Sequence, residues 1–293
     1  MPMRPSALSA LVLLAAVGCG VPDNSALIAR ADALSSGPKG EAKKPDEKKP
    51  DQKPAPDVKP VETDPKKLGI GIVDSSVGTG ETAAAGDTCY MLYTGKLKND
   101  PTKVFDSTAK RENEPFAFQL GSGQVIKGWD LGIVGMKVGG KRTLTIPAEY
   151  AYGSEAKGDD IPANSDLVFD IELVGLLKPE DADTVQRETI TPGTGPAAKD
   201  GDVVSFKYKG TTLSGKVFDD NGGKPVQVKL GPDTTLAVPG LEIAIKGMKK
   251  GQRVIATVPP ALGLPPTPPG PSGPPKVAPN SIVKFDITLV SIG

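Results

Sequence analysis

Three short stretches of the chain alternate in polarity or run β-branched and aromatic: residues 88–95 (TCYMLYTG), 142–147 (RTLTIP) and 167–174 (LVFDIELV). A period of two with such residues predicts strands. Residues 128–134, bounded by glycines, predict one short helix. The pattern then repeats. VIKGWDLGIVGMKVGGKRTLTIPAEY is answered by AVPGLEIAIKGMKKGQRVIATVPPAL, and ANSDLVFDIELVG by PNSIVKFDITLVS. Gly135 recurs as Gly247 and Phe169 as Phe285, the second spacing being four residues longer, which places an insertion in one loop. Self-similarity of this length means one unit used twice. The copies run over 68–178 and 182–293, each predicted as α+β, a sheet with one short helix.

The region before the repeats has no such pattern. Residues 8–17 form an apolar run too short for a permanent span, preceded by Arg4. It ends Ala16-Val17-Gly18-Cys19, which resembles the lipobox of bacterial lipoproteins. The expectation is a signal peptide over 1–18, lipidation of Cys19, and an anchor in a bacterial envelope membrane facing the periplasm or the exterior. The plainer alternative is an ordinary cleaved signal containing a cysteine. Residues 19–67 are expected to be a disordered linker. KKPDEKKPDQKPAPDVKP has almost no apolar side chains, and its prolines favour extended chain.

Composition removes whole classes of chemistry. Lys plus Arg and Asp plus Glu both number 35, so charge offers no case for nucleic acid. Histidine is absent, which excludes an imidazole base or a His-ligated metal. The two cysteines, Cys19 and Cys89, cannot build a structural zinc site, and no metal or cofactor is expected. Cys89 reads as a small core residue. The run from Gly135 to Lys141 approaches a phosphate-binding loop, but Arg142 follows and a strand, not a helix, comes next, so the context fails. The 13 aromatics divide unevenly, nine in the first copy and four in the second. Aromatics at strand spacing are usually core, but two copies of one fold should need similar numbers.

The first copy carries Tyr93-Thr94-Gly95, Phe105-Asp106-Ser107, Pro115-Phe116-Ala117-Phe118, Val125-Ile126-Lys127-Gly128-Trp129, Tyr150-Ala151-Tyr152-Gly153, Ile161-Pro162 and Leu167-Val168-Phe169-Asp170. In order and spacing this resembles the FKBP family of peptidyl-prolyl cis–trans isomerases. The resemblance implies a five- or six-stranded antiparallel sheet wrapped around one short helix, with a prolyl pocket between them. It implies Trp129 as pocket floor and Tyr93, Phe105, Val125, Ile126, Tyr152 and Phe169 as walls, with Phe116 among the substrate contacts. Asp106 would sit beside the Tyr93 hydroxyl and pair with Arg111. The Tyr152 hydroxyl and the Ile126 N–H would hold the carbonyls flanking proline, and Ile161 would close the rim. It also implies proline-containing polypeptides as substrates, and macrolides of the tacrolimus and rapamycin type as ligands.

The second copy departs from that pattern. Tyr208, Phe218, Asp219, Val238 and Phe285 match, but Leu241 stands at the Trp129 position, Val226 at that of Phe116 and Leu264 at that of Tyr152. Its rim loop becomes rich in proline and glycine around 265–275. Much weaker isomerase activity is expected there. Three functions stay open: an isomerase assisting the folding of exported proteins, an envelope-tethered chaperone or binding module without significant turnover, and a surface protein that only presents binding faces.

Overall fold

The computed structural model describes residues 62–264 and 277–293. The expected signal peptide, Cys19, most of the linker and the Pro-rich loop 265–275 lie outside the described residues. Residues 64–70 already form hydrogen-bonded turns, ahead of the boundary expected at Leu68: the Ile70 N–H donates to Pro65 O at 2.9 Å.

The first repeat contains β1 (Gly71–Ser76), β2 (Thr88–Leu97), β3 (Val104–Ser107), β4 (Phe116–Gln119), α1 (Lys127–Gly132), β5 (Lys141–Ile146) and β6 (Leu167–Leu177). They form one antiparallel sheet of order β1-β5-β6-β2-β3, with β4 also pairing β2. The second contains β7 (Gln186–Thr191), β8 (Thr194–Ala197), β9 (Val203–Thr212), β10 (Val217–Asp220), β11 (Val226–Lys229), α2 (Pro239–Ile245), β12 (Lys249–Lys250), β13 (Arg253–Val258) and β14 (Val283–Ile292). Its sheet runs β7-β13-β14-β9-β10 with β11 on β9, and β8 pairs β12 separately. Element for element the order is that of the first sheet. The expected α+β repeats and sheet count are therefore present, and the helix expected over 128–134 occupies Lys127–Gly132.

Alternation sorts each strand into two faces. In β6, Leu167, Phe169, Ile171 and Leu173 are buried, and the residues between them are more exposed. The buried face meets α1 through Trp129, Ile133, Leu144 and Ile146. Burying a large apolar side chain contributes about 1.5–3 kcal/mol, so helix and sheet hold one another. Close approach depends on glycine. A Cβ on Gly128 would lie 2.4 Å from Ile146 Cγ2, and one on Gly132 2.8 Å from Leu144 Cδ2. The helix has no side-chain cap at its N-terminus. Its ends are pinned from outside instead. Asp130 accepts from the Gly121 and Gly123 N–H groups at 2.8 and 3.1 Å. Arg142, itself paired to Asp74, donates to Gly132 O at 2.6 Å, a cation at the negative end of the helix. That pairing holds the Asp74 carboxyl below its usual range.

Cys89 is fully buried, as expected, and burial pushes its thiol up to about 12. The two repeats also touch. The Tyr90 hydroxyl donates to Asn280 O at 3.3 Å, and the Leu213 side chain occupies the space a Cβ on Gly175 would need, 2.5 Å away.

Candidate active site

The site is built on Phe169, at the centre of the β6 face that meets α1. In the β2–β6 register Phe169 lies opposite Gly95. A Cβ on Gly95 would stand 2.6 Å from the Phe105 ring and 2.8 Å from that of Phe169. Glycine here lets the two rings meet edge to face, with centroids 5.6 Å apart. Trp129, on α1, stands edge-on to Phe169 at 5.3 Å and to Tyr93 at 5.2 Å. Such pairs are worth about 0.5–1.5 kcal/mol beyond their buried area, so the rings fix one another's orientation. Trp129 is only 4% exposed, and its indole Nε1 is buried without a partner among the described residues. A buried donor with no acceptor is costly.

One corner of this aromatic bowl is polar. The Tyr93 hydroxyl donates to Asp106 Oδ2. Arg111 donates to Asp106 Oδ1 at 3.2 Å and to the Tyr93 hydroxyl at 2.9 Å, closing a triangle. The local chain makes this arrangement. Ser107 caps the short 3-10 turn that follows, its Oγ accepting from the Ala109 N–H at 3.2 Å. Thr108 Oγ1 accepts from the Tyr93 N–H at 3.1 Å and ties that turn to β2. Burial works against charge on Asp106, but the Tyr93 hydroxyl, the Arg111 guanidinium and the Ser107 N–H outweigh it and hold the carboxyl below its usual range. Burial, with Asp106 behind it, raises the Tyr93 phenol.

The remaining expected residues fall around the same bowl. Phe105, Val125, Ile126 and Tyr152 are partly buried against its core. Among the described residues, neither the Ile126 N–H nor the Tyr152 hydroxyl makes a hydrogen bond. Ile161 is buried at the rim, in a tight hairpin where the Lys157 N–H donates to Ile161 O at 2.8 Å. Phe116, 38% exposed, lies at the margin of the bowl: it stands edge-on to Tyr93 at 6.1 Å and to Trp129 at 6.2 Å, and stacks on Phe118 at 5.8 Å. Phe118 is core and Tyr90 faces the second repeat, so part of the aromatic surplus serves packing.

The second bowl keeps the frame and loses the fittings. Phe285 lies opposite Gly210, Phe218 stands edge-on to it at 5.6 Å, and the Tyr208 hydroxyl donates to Asp219 at 2.6 Å. Among the described residues no arginine closes this pair. Asn221 takes the place of Thr108, its Oδ1 accepting from the Tyr208 N–H at 3.2 Å. Buried Leu241 replaces the indole floor.

The family described as FKBP-type peptidyl-prolyl cis-trans isomerase matches residues 79–174 and again 195–290. FK506-binding protein 4 of Neurospora crassa is 50% identical over 143 residues, 49% of this chain and 28% of that protein. FK506-binding protein 4 of Gibberella zeae is 46% identical over 143 residues, 27% of its length. A peptidyl-prolyl cis-trans isomerase of Saccharomyces cerevisiae is 53% identical over 108 residues, 25% of its length. The chain thus spans about a quarter of the length of these curated relatives. Among solved structures, that of AtFKBP13 is 45% identical, covering 36% of this chain and 92% of its own, with a TM-score of 0.34. The three FKBP domains of wheat FKBP73 are 24% identical, covering 78% and 96%, with a TM-score of 0.37. These curated relatives are fungal, which corrects the placement of the chain as a bacterial, lipid-anchored envelope protein. Matched twice over, along most of both repeats, the chain belongs to the FKBP-type peptidyl-prolyl cis-trans isomerase family.

Proposed function

We propose that the chain catalyses cis–trans isomerisation of X–Pro bonds in proline-containing polypeptides, and that the first repeat does the work. The observation that carries this is the bowl on Trp129 and Phe169, apolar except for the Tyr93–Asp106–Arg111 corner. An X–Pro amide isomerises slowly because it must lose its resonance, a barrier of about 18–20 kcal/mol. The planar amide is charge-separated and the twisted one is less so. An apolar bowl therefore disfavours the ground state relative to the transition state, which is catalysis by differential binding. Trp129, Phe105 and Phe169 would hold the prolyl ring. The Ile126 N–H and Tyr152 hydroxyl would hold the flanking carbonyls and leave the central bond free to turn. No covalent step, metal or cofactor enters this reading.

The relatives' name, FK506-binding protein, supports a second use of the same bowl, in which a macrolide of that type fills it and competes with peptide. The second repeat, with Leu241 and Leu264 in place of the floor and one donor, would be an accessory domain with little turnover. The test is a protease-coupled assay of the full chain on an X-Pro tetrapeptide, with and without FK506. Turnover that FK506 abolishes is expected. Turnover that survives saturating, demonstrably bound FK506 would place the activity elsewhere.

A further inference from the structure

Lys216 stands in the turn between β9 and β10 of the second repeat, yet its charge is spent on the first. Its Nζ lies 2.6 Å from Glu112 Oε2 and 3.9 Å from Glu114 Oε1. Glu112 directly follows Arg111, which bonds both Asp106 and Tyr93, and Glu114 comes two residues later. The chain between is under strain. Glu112 and Asn113 both adopt left-handed backbone, with φ of 54° and 58°, a conformation that costs energy and persists only where neighbours enforce it. Three hydrogen bonds close the turn from within: the Glu112 N–H to Thr108 O, the Asn113 N–H to Thr108 O at 3.0 Å, and the Glu114 N–H to Arg111 O at 2.9 Å. From outside, the second repeat closes over it. Glu114 and Pro115 line a small cavity with Tyr90, Leu213 and Asn280, and Glu114 Oε2 is buried there without a partner among the described residues. Among those residues Lys216 is the one cation within 4 Å of that carboxylate, 3.9 Å from Oε1.

We propose that Lys216 is a positioning residue for the site of the first repeat: by holding Glu112 and Glu114 it fixes the turn that aims Arg111 at Asp106 and Tyr93. The second repeat then serves catalysis without performing it, which gives a physical reason to keep a domain whose own bowl is stripped. This rests on the isomerase reading above. Exposed ion pairs stabilise little in themselves, so the effect is one of aim and is modest.

The test uses the full chain as wild type, Lys216→Glu, and the charge swap Lys216→Glu with Glu112→Lys. Two readouts are taken: amide exchange over residues 108–115, and kcat and KM on an X-Pro tetrapeptide. Lys216→Glu is expected to speed exchange in that segment and lower kcat/KM, each by about two- to fivefold, with the swap restoring most of both. Unchanged exchange, faster exchange with unchanged kcat/KM, or losses that the swap does not restore would each overturn the proposal. A folded wild type without turnover would sink the isomerase reading, while the exchange data would still decide whether Lys216 holds the turn.

Discussion

Gly95 and Phe169 face one another across β2 and β6, and the space where a Gly95 side chain would begin is filled by aromatic rings. Gly95→Ala must push Phe105 or Phe169 off its place. The expected cost is about 1–3 kcal/mol of stability, together with a loss of turnover exceeding any loss of peptide binding. Denaturant unfolding and steady-state kinetics check this. Stability and kcat both unchanged would show that the rings are not held as described.

Glycines crowded by backbone should be less forgiving than those crowded by side-chain tips. A Cβ on Gly78 would meet Val138 O at 2.2 Å and Gly140 N at 2.5 Å, both main chain. One on Gly175 would meet only Leu213 Cδ1 at 2.5 Å, which can turn aside. Gly78→Ala should therefore cost more than about 2 kcal/mol, and Gly175→Ala well under half of that. Thermal melts of the two variants give the comparison directly.

The polar corner sets the acid limit. Because the Asp106 carboxyl is held below its usual range in the fold, its contribution to stability is present above the unfolded value of about 3.9 and is lost as pH falls through the lower folded value. Activity that depends on charged Asp106 should hold from neutrality down to about pH 4. Asp106→Asn should lower kcat/KM about tenfold at pH 7 and flatten the acid limb of the profile. Identical acid limbs for wild type and variant would remove Asp106 from the account.

Trp129 is the only tryptophan in the chain, so its emission reports on the bowl. Trp129→Leu copies the floor of the second repeat. It should cut kcat/KM by about tenfold or more while circular dichroism shows the sheets retained, since Leu241 fills the same place in an intact second core. In the wild type, a peptide or macrolide that enters the bowl should shift the tryptophan emission. A Trp129→Leu chain with wild-type turnover would contradict the role of the floor.

Much of this was legible in the residues. Period-two stretches around Tyr93, Leu144 and Phe169 became the central strands β2, β5 and β6, and the glycine-bounded segment at Trp129 became α1. Tyr93, Asp106 and Arg111 met because β2 and β3 are sequence neighbours joined by a short connection. What sequence could not supply depended on contacts between distant surfaces. Tyr90 and Glu114 meet the second repeat, and nothing local marks Asn280 and Lys216 as their respective partners. Phe116, expected as a substrate contact, lies at the margin of the bowl, edge-on to Tyr93 and Trp129 and partly exposed at the start of β4. The envelope placement rested on Arg4, the apolar run over 8–17 and the four residues ending at Cys19, and fungal relatives matched over more than a hundred residues overturn it.

If one bowl, in the first repeat, does the chemistry, altering that bowl alone should abolish turnover. The most direct measurement is turnover of an X-Pro tetrapeptide by the full chain and by the full chain carrying Asp106→Ala and Tyr152→Phe, which leave the second repeat untouched. Clear activity is expected in the first and almost none in the second, with both chains folded. Activity retained in the double variant would place catalysis in the second repeat and contradict that role of the first.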